Sequence, residues 1–394
     1  MNEWTVCRID DLGEINRGKS KHRPRNDSIL FGGDYPFIQT GDVKKAYLYI
    51  TEYSETYSDI GLAQSKLWPK GTLCITIAAN IAESAILGID ACFPDSVVGF
   101  TPYAEKTDLK FAKYLLDEFK VYMQQISKGT TQDNLSLEKL RRIKFRAPDY
   151  DTQVKISNIL STYDELIENN IERIKLLEQM AQTLYKEWFV HFHFPGYESI
   201  ALQDQTPSGW VISSKATDMV CPKNWEYGVF SRLGSFVRGK NITAAEMIEG
   251  DIPVISAGLE PSGYHNTHNV PGKSLTISAS GANAGYLKYH LSNIWAADCS
   301  YFQDEKKLWF VYNALKFLQP VISNLQVGAA QPHVYPKNIN KLCTVIPDDD
   351  TIQAYCDKVE PIYEQIRLLK EKNENLIKQK NLIMPRLMSG KLEV

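Results

Sequence analysis

The residues most suggestive of catalysis lie near the start of the chain. Gly13-Glu-Ile-Asn-Arg-Gly18-Lys19-Ser20 fits the P-loop pattern, in which backbone N–H groups, a lysine and a hydroxyl hold a nucleotide and its magnesium ion. A P-loop lies between a buried strand and a helix, and Lys21-His-Arg-Pro24-Arg25 is a poor start for a helix. We therefore favour a structural turn, and a P-loop NTPase that uses Lys19 and Ser20 stays as an alternative.

The same segment carries a dense run of positive charge. Lysine and arginine contacts to phosphate give affinity for DNA of any sequence. A run of charge can equally be a solvated loop with no partner. The candidates for DNA contact are this run and the two cations at the matching place later in the chain: Arg17, Lys19, Lys21, Arg23, Arg25, Arg238 and Lys240.

A second set of candidates consists of polar side chains that can read base edges. Asn and Gln donate and accept together, which suits adenine. The set is Gln39, Thr40, Asn80, Gln132, Asn134, Asn283, Gln331 and His333. Gln132 and Gln331 hold equivalent places in a repeat, so a structural role or a shared backbone contact is an equally strong interpretation.

Other chemistry has little support in the sequence. The histidines have no cysteine or carboxylate set at the spacing of metal ligands. The seven cysteines are scattered, and we interpret them as reduced thiols in the cytoplasm. No Asn/Asp-Pro-Pro-Tyr/Phe motif marks an adenine methyltransferase. We therefore expect no catalytic residue, no metal and no cofactor.

Composition is that of an ordinary soluble globular protein, with 43% hydrophobic and 23% charged residues. The 394 residues allow two to three domains. No apolar run reaches transmembrane length and no signal-peptide pattern is present, so we expect no membrane contact. The net charge of −3 means that a DNA-binding surface has to concentrate its basic residues locally.

The candidate residues lie on a unit that the chain contains twice. Trp4 and Arg17-Gly18-Lys19 reappear, at constant spacing, as Trp225 and Arg238-Gly239-Lys240. Farther along, Gly-x-x-Gln and Ala/Ile-Pro-Asp blocks repeat with a shift of 199 residues, which maps Pro148 onto Pro347. The middles of the two copies differ in length. A shared frame with diverged middles predicts two binding heads of different specificity.

Each copy leads into a long helical pattern with apolar residues at alternating steps of three and four. Such heptads are typical of a coiled coil, and packing of each helix on its own domain is the alternative. The seam residues are Leu160, Tyr163, Ile167, Asn170, Ile174, Leu177, Leu184, Val359, Ile362, Ile366, Leu369, Asn373, Leu376 and Ile383. Placing Asn170 opposite Asn373 predicts an antiparallel pair, because a buried asparagine pair can fix the register.

The order and doubling of these blocks resemble the specificity subunit of type I restriction–modification systems. The resemblance covers essentially the whole chain. It rests on the Trp-x8-Gly-x4-Gly-Lys block of each half, the Gly-x-x-Gln blocks and the two helix ends, Leu184–Tyr197 and Leu382–Leu392. It implies two target-recognition domains that each read one half of a bipartite, asymmetric DNA site. It also implies a chain without catalysis that recruits two adenine-methyltransferase subunits and, for restriction, two ATP-dependent translocase–nuclease subunits.

The predicted fold class is α+β: two tandem-repeated target-recognition domains joined by two long helices that form an antiparallel coiled coil with pseudo-two-fold symmetry. The predicted segments are recognition domain 1 (1–150), spacer helix 1 (151–196), recognition domain 2 (197–350) and spacer helix 2 (351–394). A helix of about 38 residues spans roughly 57 Å, or at most roughly 17 base pairs of duplex. The long helices and the apolar tract Trp188–Phe192 are the expected partner contacts, and a core position of this tract between helix and second domain is the alternative. A coiled-coil scaffold with two protein-binding heads is the second alternative.

Overall fold

The computed structural model describes residues 4–128, 134–204, 220–326 and 332–394. The chain divides into two compact units, one made of Met1–Glu172 with Leu369–Val394 and the other of Arg173–Leu368. Each unit therefore combines one globular part with portions of two long helices. The mixture of short strands and helices confirms the α+β prediction, whereas the four-segment division of the chain stays a prediction.

The first unit builds its globular part on two sheets and a short ladder. The five-stranded sheet has the order β2-β10-β7-β8-β4, the four-stranded sheet has the order β5-β3-β9-β6, and β1 pairs with β11. The strands are β1 Thr5–Cys7, β2 Gly13–Arg17, β3 Phe31–Phe37, β4 Tyr49–Ile50, β5 Glu55–Tyr57, β6 Leu67–Trp68, β7 Leu73–Thr76, β8 Ser84–Leu87, β9 Ala91–Cys92, β10 Val97–Pro102 and β11 Phe145–Ala147.

Six short helices surround these sheets. They are α1 Ile9–Leu12, α2 Thr40–Lys45, α3 Asp59–Ala63, α4 Leu109–Glu118, α5 Lys120–Ser127 and α6 Leu137–Arg142. The run Leu73-Cys-Ile-Thr76 of β7 is buried throughout because both faces of this strand are covered: Leu73 and Ile75 belong to one apolar cluster and Cys74 to another. Burial also raises the pKa of the Cys74 thiol, which keeps it protonated.

The second unit repeats this plan with smaller sheets. Its four-stranded sheet has the order β15-β21-β18-β19, its three-stranded sheet has the order β17-β16-β20, and β12-β13 and β14-β22 are short ladders. The strands are β12 Leu202–Asp204, β13 Val220–Pro222, β14 Glu226–Val229, β15 Val237–Arg238, β16 Ile252–Ile255, β17 Gly263–His265, β18 Ser274–Ser278, β19 Leu287–His290, β20 Trp295–Ala296, β21 Cys299–Gln303 and β22 Cys343–Ile346.

Two helices of 40 residues complete the fold, α7 Tyr150–Phe189 and α11 Asp349–Met388. Between them in the chain lie α8 Leu308–Phe317, α9 Gln319–Asn324 and α10 Pro336–Ile339. All the named seam residues are buried or half-buried, as the heptad interpretation expects. Within the described part of the chain, none of the helices combines the length and apolar character that a membrane crossing needs.

The long helices run antiparallel within the first unit. The Asn170 side-chain amide donates to the Asn373 side-chain oxygen at 2.7 Å, which confirms the predicted asparagine pair. Earlier on α7, Asp164 accepts hydrogen bonds from Lys380, which lies later on α11. Because an earlier residue of α7 contacts a later residue of α11, the two helices run in opposite directions. Polar contacts and the apolar seam together fix their register.

Within the second unit, aromatic rings join the two helices to the globular core. Tyr355 of α11 donates its hydroxyl to the Ala181 carbonyl oxygen at 3.1 Å. Its ring centroid lies 5.8 Å from that of Trp188, and Phe189 lies within the same cluster. Trp188 and Phe189 are both buried. The expectation that the tract from Trp188 forms a partner contact is therefore wrong for these rings, because they belong to the core of the unit.

Candidate nucleic-acid interface

In each unit the repeated Arg-Gly-Lys segment continues from the end of an edge strand, β2 in the first unit and β15 in the second, and is not the predicted turn. In the first, the Gly18 N–H donates to the Val97 carbonyl at 2.9 Å, and a Cβ at Gly18 would lie 2.3 Å from the Pro94 carbonyl oxygen. In the second, the Gly239 N–H donates to the Cys299 carbonyl at 2.9 Å. A side chain at either glycine would collide with backbone, so close approach explains the repeated residue.

This geometry is incompatible with a P-loop. Gly13–Arg17 is strand β2, paired antiparallel with β10 at the sheet edge, and not a phosphate-binding loop. Between Ser20 and Asp27 no helix begins; the next helical turn is the single 3₁₀ turn Ser28–Leu30. Ser20 is a buried residue. The strand–loop–helix context that nucleotide binding needs is therefore missing, and the NTPase alternative is wrong.

The seven basic candidates all have exposed side chains, and they fall into two groups. Arg23 donates to the carbonyl oxygens of Ser20 and His22, while Arg25 pairs with Asp95 at 2.8 Å. In the second unit Arg238 pairs with Asp298, and the Lys240 ammonium lies 6.0 Å from the Trp295 ring centroid.

By contrast, the side chains of Arg17, Lys19 and Lys21 form neither ion pairs nor hydrogen bonds with other described residues. Exposed cations without an acidic neighbour keep their full charge available for phosphate. The unengaged group is therefore the better candidate for DNA backbone contact.

In the first unit, the connection between β7 and β8 (residues 77–83) lies against the segment that begins at Asn134. We call these two segments together the corner of the first unit. The connection contains Asn80, and the Leu135 N–H donates to the Ile77 carbonyl at 2.9 Å, which holds Asn134 against the connection. The Asn134 side-chain oxygen is buried and has no hydrogen-bond partner among the described residues. Two of the predicted base readers are thus brought into one region, whereas Gln132 lies outside the described residues.

The second unit builds the same corner around an equivalent backbone hydrogen bond and adds a second one. The Val334 N–H donates to the Ala279 carbonyl at 3.0 Å, and the Gly281 N–H donates to the Pro332 carbonyl at 3.0 Å. A β-bridge joins Ser280 to His333, and Asn283 ends the adjoining turn. Gln331 lies outside the described residues.

Arg238 is linked to the corner of the second unit through Asp298. Asp298 accepts hydrogen bonds from both Ser280 and Arg238. The structure therefore brings His333, Asn283 and Arg238 into one region.

Sequence reasoning missed two residues of this corner, Tyr335 and Lys337. The Tyr335 ring is 43% exposed and stacks on His333, with centroids 6.0 Å apart and planes at 19°. The Lys337 ammonium lies 5.7 Å from the Tyr335 ring centroid. His333 and Tyr335 lie two residues apart in the extended segment that precedes α10, and this spacing was a usable signal, because every second residue of an extended segment faces the same way.

Gln39 and Thr40 lie at the start of α2. The Gln39 side-chain amide donates to Glu55 at 2.6 Å, and its backbone N–H donates to Asp42 at 2.8 Å. Thr40 is the first helical residue. Because Gln39 already binds a carboxylate, contact with a base would first have to break that hydrogen bond.

Metal chemistry finds no support in the ranges that the structure describes. These ranges contain no group of three or more His, Cys, Asp or Glu side chains placed to hold an ion. His290, one of two buried histidines in the described part of the second unit, is instead hydrogen-bonded to Thr276 at 2.8 Å. Burial lowers the pKa of His290 to about 3, so its ring is neutral at ordinary pH.

Comparison with known proteins assigns a family to this architecture. The model of the type I restriction modification DNA specificity domain matches residues 1–179 and 222–379. The type I restriction enzyme MjaIX specificity subunit of Methanocaldococcus jannaschii is 26% identical, with alignment over 100% of this chain and 94% of that protein. The HindI specificity subunit of Haemophilus influenzae is 22% identical over the full length of both chains.

A solved structure agrees with the fold. The crystal structure of the type I restriction–modification system S subunit from M. genitalium superimposes with a TM-score of 0.60 at 17% identity, covering 98% of this chain and 96% of that one. At this identity the match is evidence for the fold alone.

Proposed function

The chain belongs to the type I restriction modification DNA specificity family, and we propose that its two units each read one half of a bipartite, asymmetric DNA site. In this role the chain has no catalytic residue of its own and supplies sequence recognition to partner subunits. Two methyltransferase subunits and restriction–translocase subunits are the proposed partners, and the cytoplasm is the expected location.

One observation supports this proposal: the same corner is built twice around an equivalent backbone hydrogen bond and carries different side chains. The bonds from Leu135 to Ile77 and from Val334 to Ala279 are equivalent by their place in the fold, because each carbonyl belongs to the residue directly after the strand, β7 or β18. The side chains presented beside them differ, with Asn134, Ser136 and Glu138 in the first unit against His333, Tyr335 and Lys337 in the second. A constant frame with changed polar and aromatic groups supports two readers of different sequence.

The mapping of methylated adenines tests this division of labour. We expect His333→Ala with Tyr335→Ala to relax or abolish only one half of the methylated motif. The matched pair at the equivalent positions, Asn134→Ala with Ser136→Ala, should affect only the other half. If either pair altered both halves alike, or neither altered any base preference, the two-reader proposal would fail.

The unengaged cations are proposed to contact phosphate. Replacing Arg17, Lys19 and Lys21 with alanine should weaken binding to all duplexes and reduce the slope of log affinity against log salt by about 1 for each phosphate that is no longer neutralised. Arg23→Ala with Arg25→Ala is the control, because internal partners already engage these side chains. Equal effects of both variants would favour the alternative interpretation, in which this run of charge is a solvated loop.

The long helices are proposed to set the distance between the half-sites. Each contains 40 residues, or about 60 Å at 1.5 Å per residue. Inserting seven residues, about two turns, into both helices should lengthen the unread gap and leave both half-sites unchanged. A change in the half-sites themselves would contradict the spacer role.

A further inference from the structure

In the first unit, a buried tyrosine of the globular part meets the long helices. Tyr114 of α4 donates its hydroxyl to Asp164 of α7 at 2.7 Å, and both side chains are fully buried. Lys380 of α11 donates to both oxygens of the same carboxylate at 2.7 and 2.8 Å. The globular part thus supplies a phenol, and the helices supply the charged pair that receives it.

In the second unit the phenol and its hydrogen-bond acceptor lie on the opposite elements. Asn313 of α8 occupies the place of Tyr114, and Tyr363 of α11 occupies the place of Asp164, under the repeat shift that maps Pro148 onto Pro347. The Tyr363 hydroxyl donates to the Asn313 side-chain oxygen at 2.8 Å, and both residues are buried. Here the long helix supplies the phenol and the globular part supplies the acceptor.

A neighbouring position differs in the same concerted way. Lys110, one turn before Tyr114, donates to Glu165 at 2.7 Å and to Ser161 at 3.2 Å. Its equivalent, Trp309, stacks on Tyr363 with centroids 3.8 Å apart and planes at 5°.

The Trp309 indole N–H also donates to Glu360, which is the equivalent of Ser161. Two positions on one helix face have therefore changed together with the residues they meet.

We propose that these pairs form a docking key, Lys110–Tyr114 in the first unit and Trp309–Asn313 in the second, that decides which globular domain each place in the chain accepts. A domain carrying Tyr114 in the second place would set one buried phenol against another, where an amide now fits. A domain carrying Asn313 in the first place would leave Asp164 and Lys380 without their phenol and leave a void. Both mismatches cost free energy, because buried polar groups need partners and cores tolerate little change in volume.

The docking key predicts which globular domains each place in the chain can accept. The first place fits a globular domain whose core helix presents lysine and tyrosine four residues apart, and the second fits one that presents tryptophan and asparagine. The biological consequence, a fixed order of the two half-sites, rests on the proposed function. The docking preference itself does not.

A chimera tests the key in the full-length chain. Residues 5–147 would replace residues 226–346, so that the first globular domain occupies both places. One version keeps the native key and a second carries Lys110→Trp and Tyr114→Asn in the transplanted copy only. We expect the second version to melt at least about 4 °C higher.

The same two substitutions in the original first domain of the unmodified chain provide the crossed control. There we expect the melting temperature to fall by a similar amount. A change of the same sign in both places, or no difference between the two chimeras, would overturn the key.

A second comparison applies if neither chimera folds. In the native chain, Trp309→Lys with Asn313→Tyr creates the mismatch. Adding Glu360→Ser, Tyr363→Asp and Ala181→Lys places the equivalents of Ser161, Asp164 and Lys380 in the second unit. These substitutions rebuild the partners that Lys110 and Tyr114 have in the first unit. The rebuilt variant should melt above the mismatched one, and failure to recover would overturn the key. Because melting needs no DNA, this outcome is independent of whether the recognition function holds.

Discussion

The contact between Lys380 and Asp164 allows the sharpest test of how the long helices hold the first unit together. Asp164 is fully buried and the Lys380 side chain is only 13% exposed. Replacing Lys380 with methionine keeps most of the side-chain volume and removes the charge. Because a buried carboxylate then loses its counter-ion, we expect a loss of about 3–5 kcal/mol in the free energy of unfolding.

Thermal and urea unfolding of the full chain measure this loss. For a unit of this size it corresponds to a drop of roughly 6 to 20 °C in the transition of the first unit. Lys378→Met, at an exposed position of the same helix, should change the transition little.

Adding Asp164→Asn to Lys380→Met should recover at least half of the loss, because the amide is neutral and still accepts from Tyr114. A loss below about 1 kcal/mol, or a double variant no better than the single, would refute the reasoning.

Three further predictions concern other positions. Gly18→Ala should destabilise the first unit by more than about 1 kcal/mol in urea melts, because its Cβ would meet backbone, whereas Gly41→Ala, in open space, should be neutral or stabilising. Asn170→Leu with Asn373→Leu should raise the melting temperature and give more than one helix register in disulfide-crosslinking scans; a single register would contradict the asparagine role. The folded pKa of His290, about 3, lies below its unfolded value of 6.5, so stability present above pH 6.5 should fall by about 1.4 kcal/mol per pH unit below it, and His290→Gln should remove this part of the slope in melts between about pH 7 and 5.

Local pattern was sufficient for the long helices and their register. Alternating steps of three and four require one helix face to be buried, and two such faces with one asparagine each leave few registers that pair both amides. The observed bond between Asn170 and Asn373 follows from that constraint. The contact of Asp164 with Tyr114 does not, because it depends on how a distant globular helix packs against the seam.

Long-range packing also explains the main wrong interpretation. The tract after Trp188 is more apolar than a helix end needs, and exposure to a partner was one explanation. Its rings instead pack against Tyr355 and Trp225, residues far away in the chain whose proximity no local pattern encodes. The corner at His333 lay between these extremes: His333 and Asn283 were recognisable as polar candidates, whereas the exposure of Tyr335 required the fold.

The central claim is that this chain directs adenine methylation to one DNA motif with two separate halves. Long-read mapping of methylated adenine in the host, with and without the gene for this chain, tests it most directly. The account predicts that deletion removes one motif made of two short defined halves around a fixed unread gap, and that the intact gene restores it. An unchanged methylome from a strain in which the chain and its methyltransferase partners are expressed would contradict the account, and would favour a scaffold whose two heads bind protein.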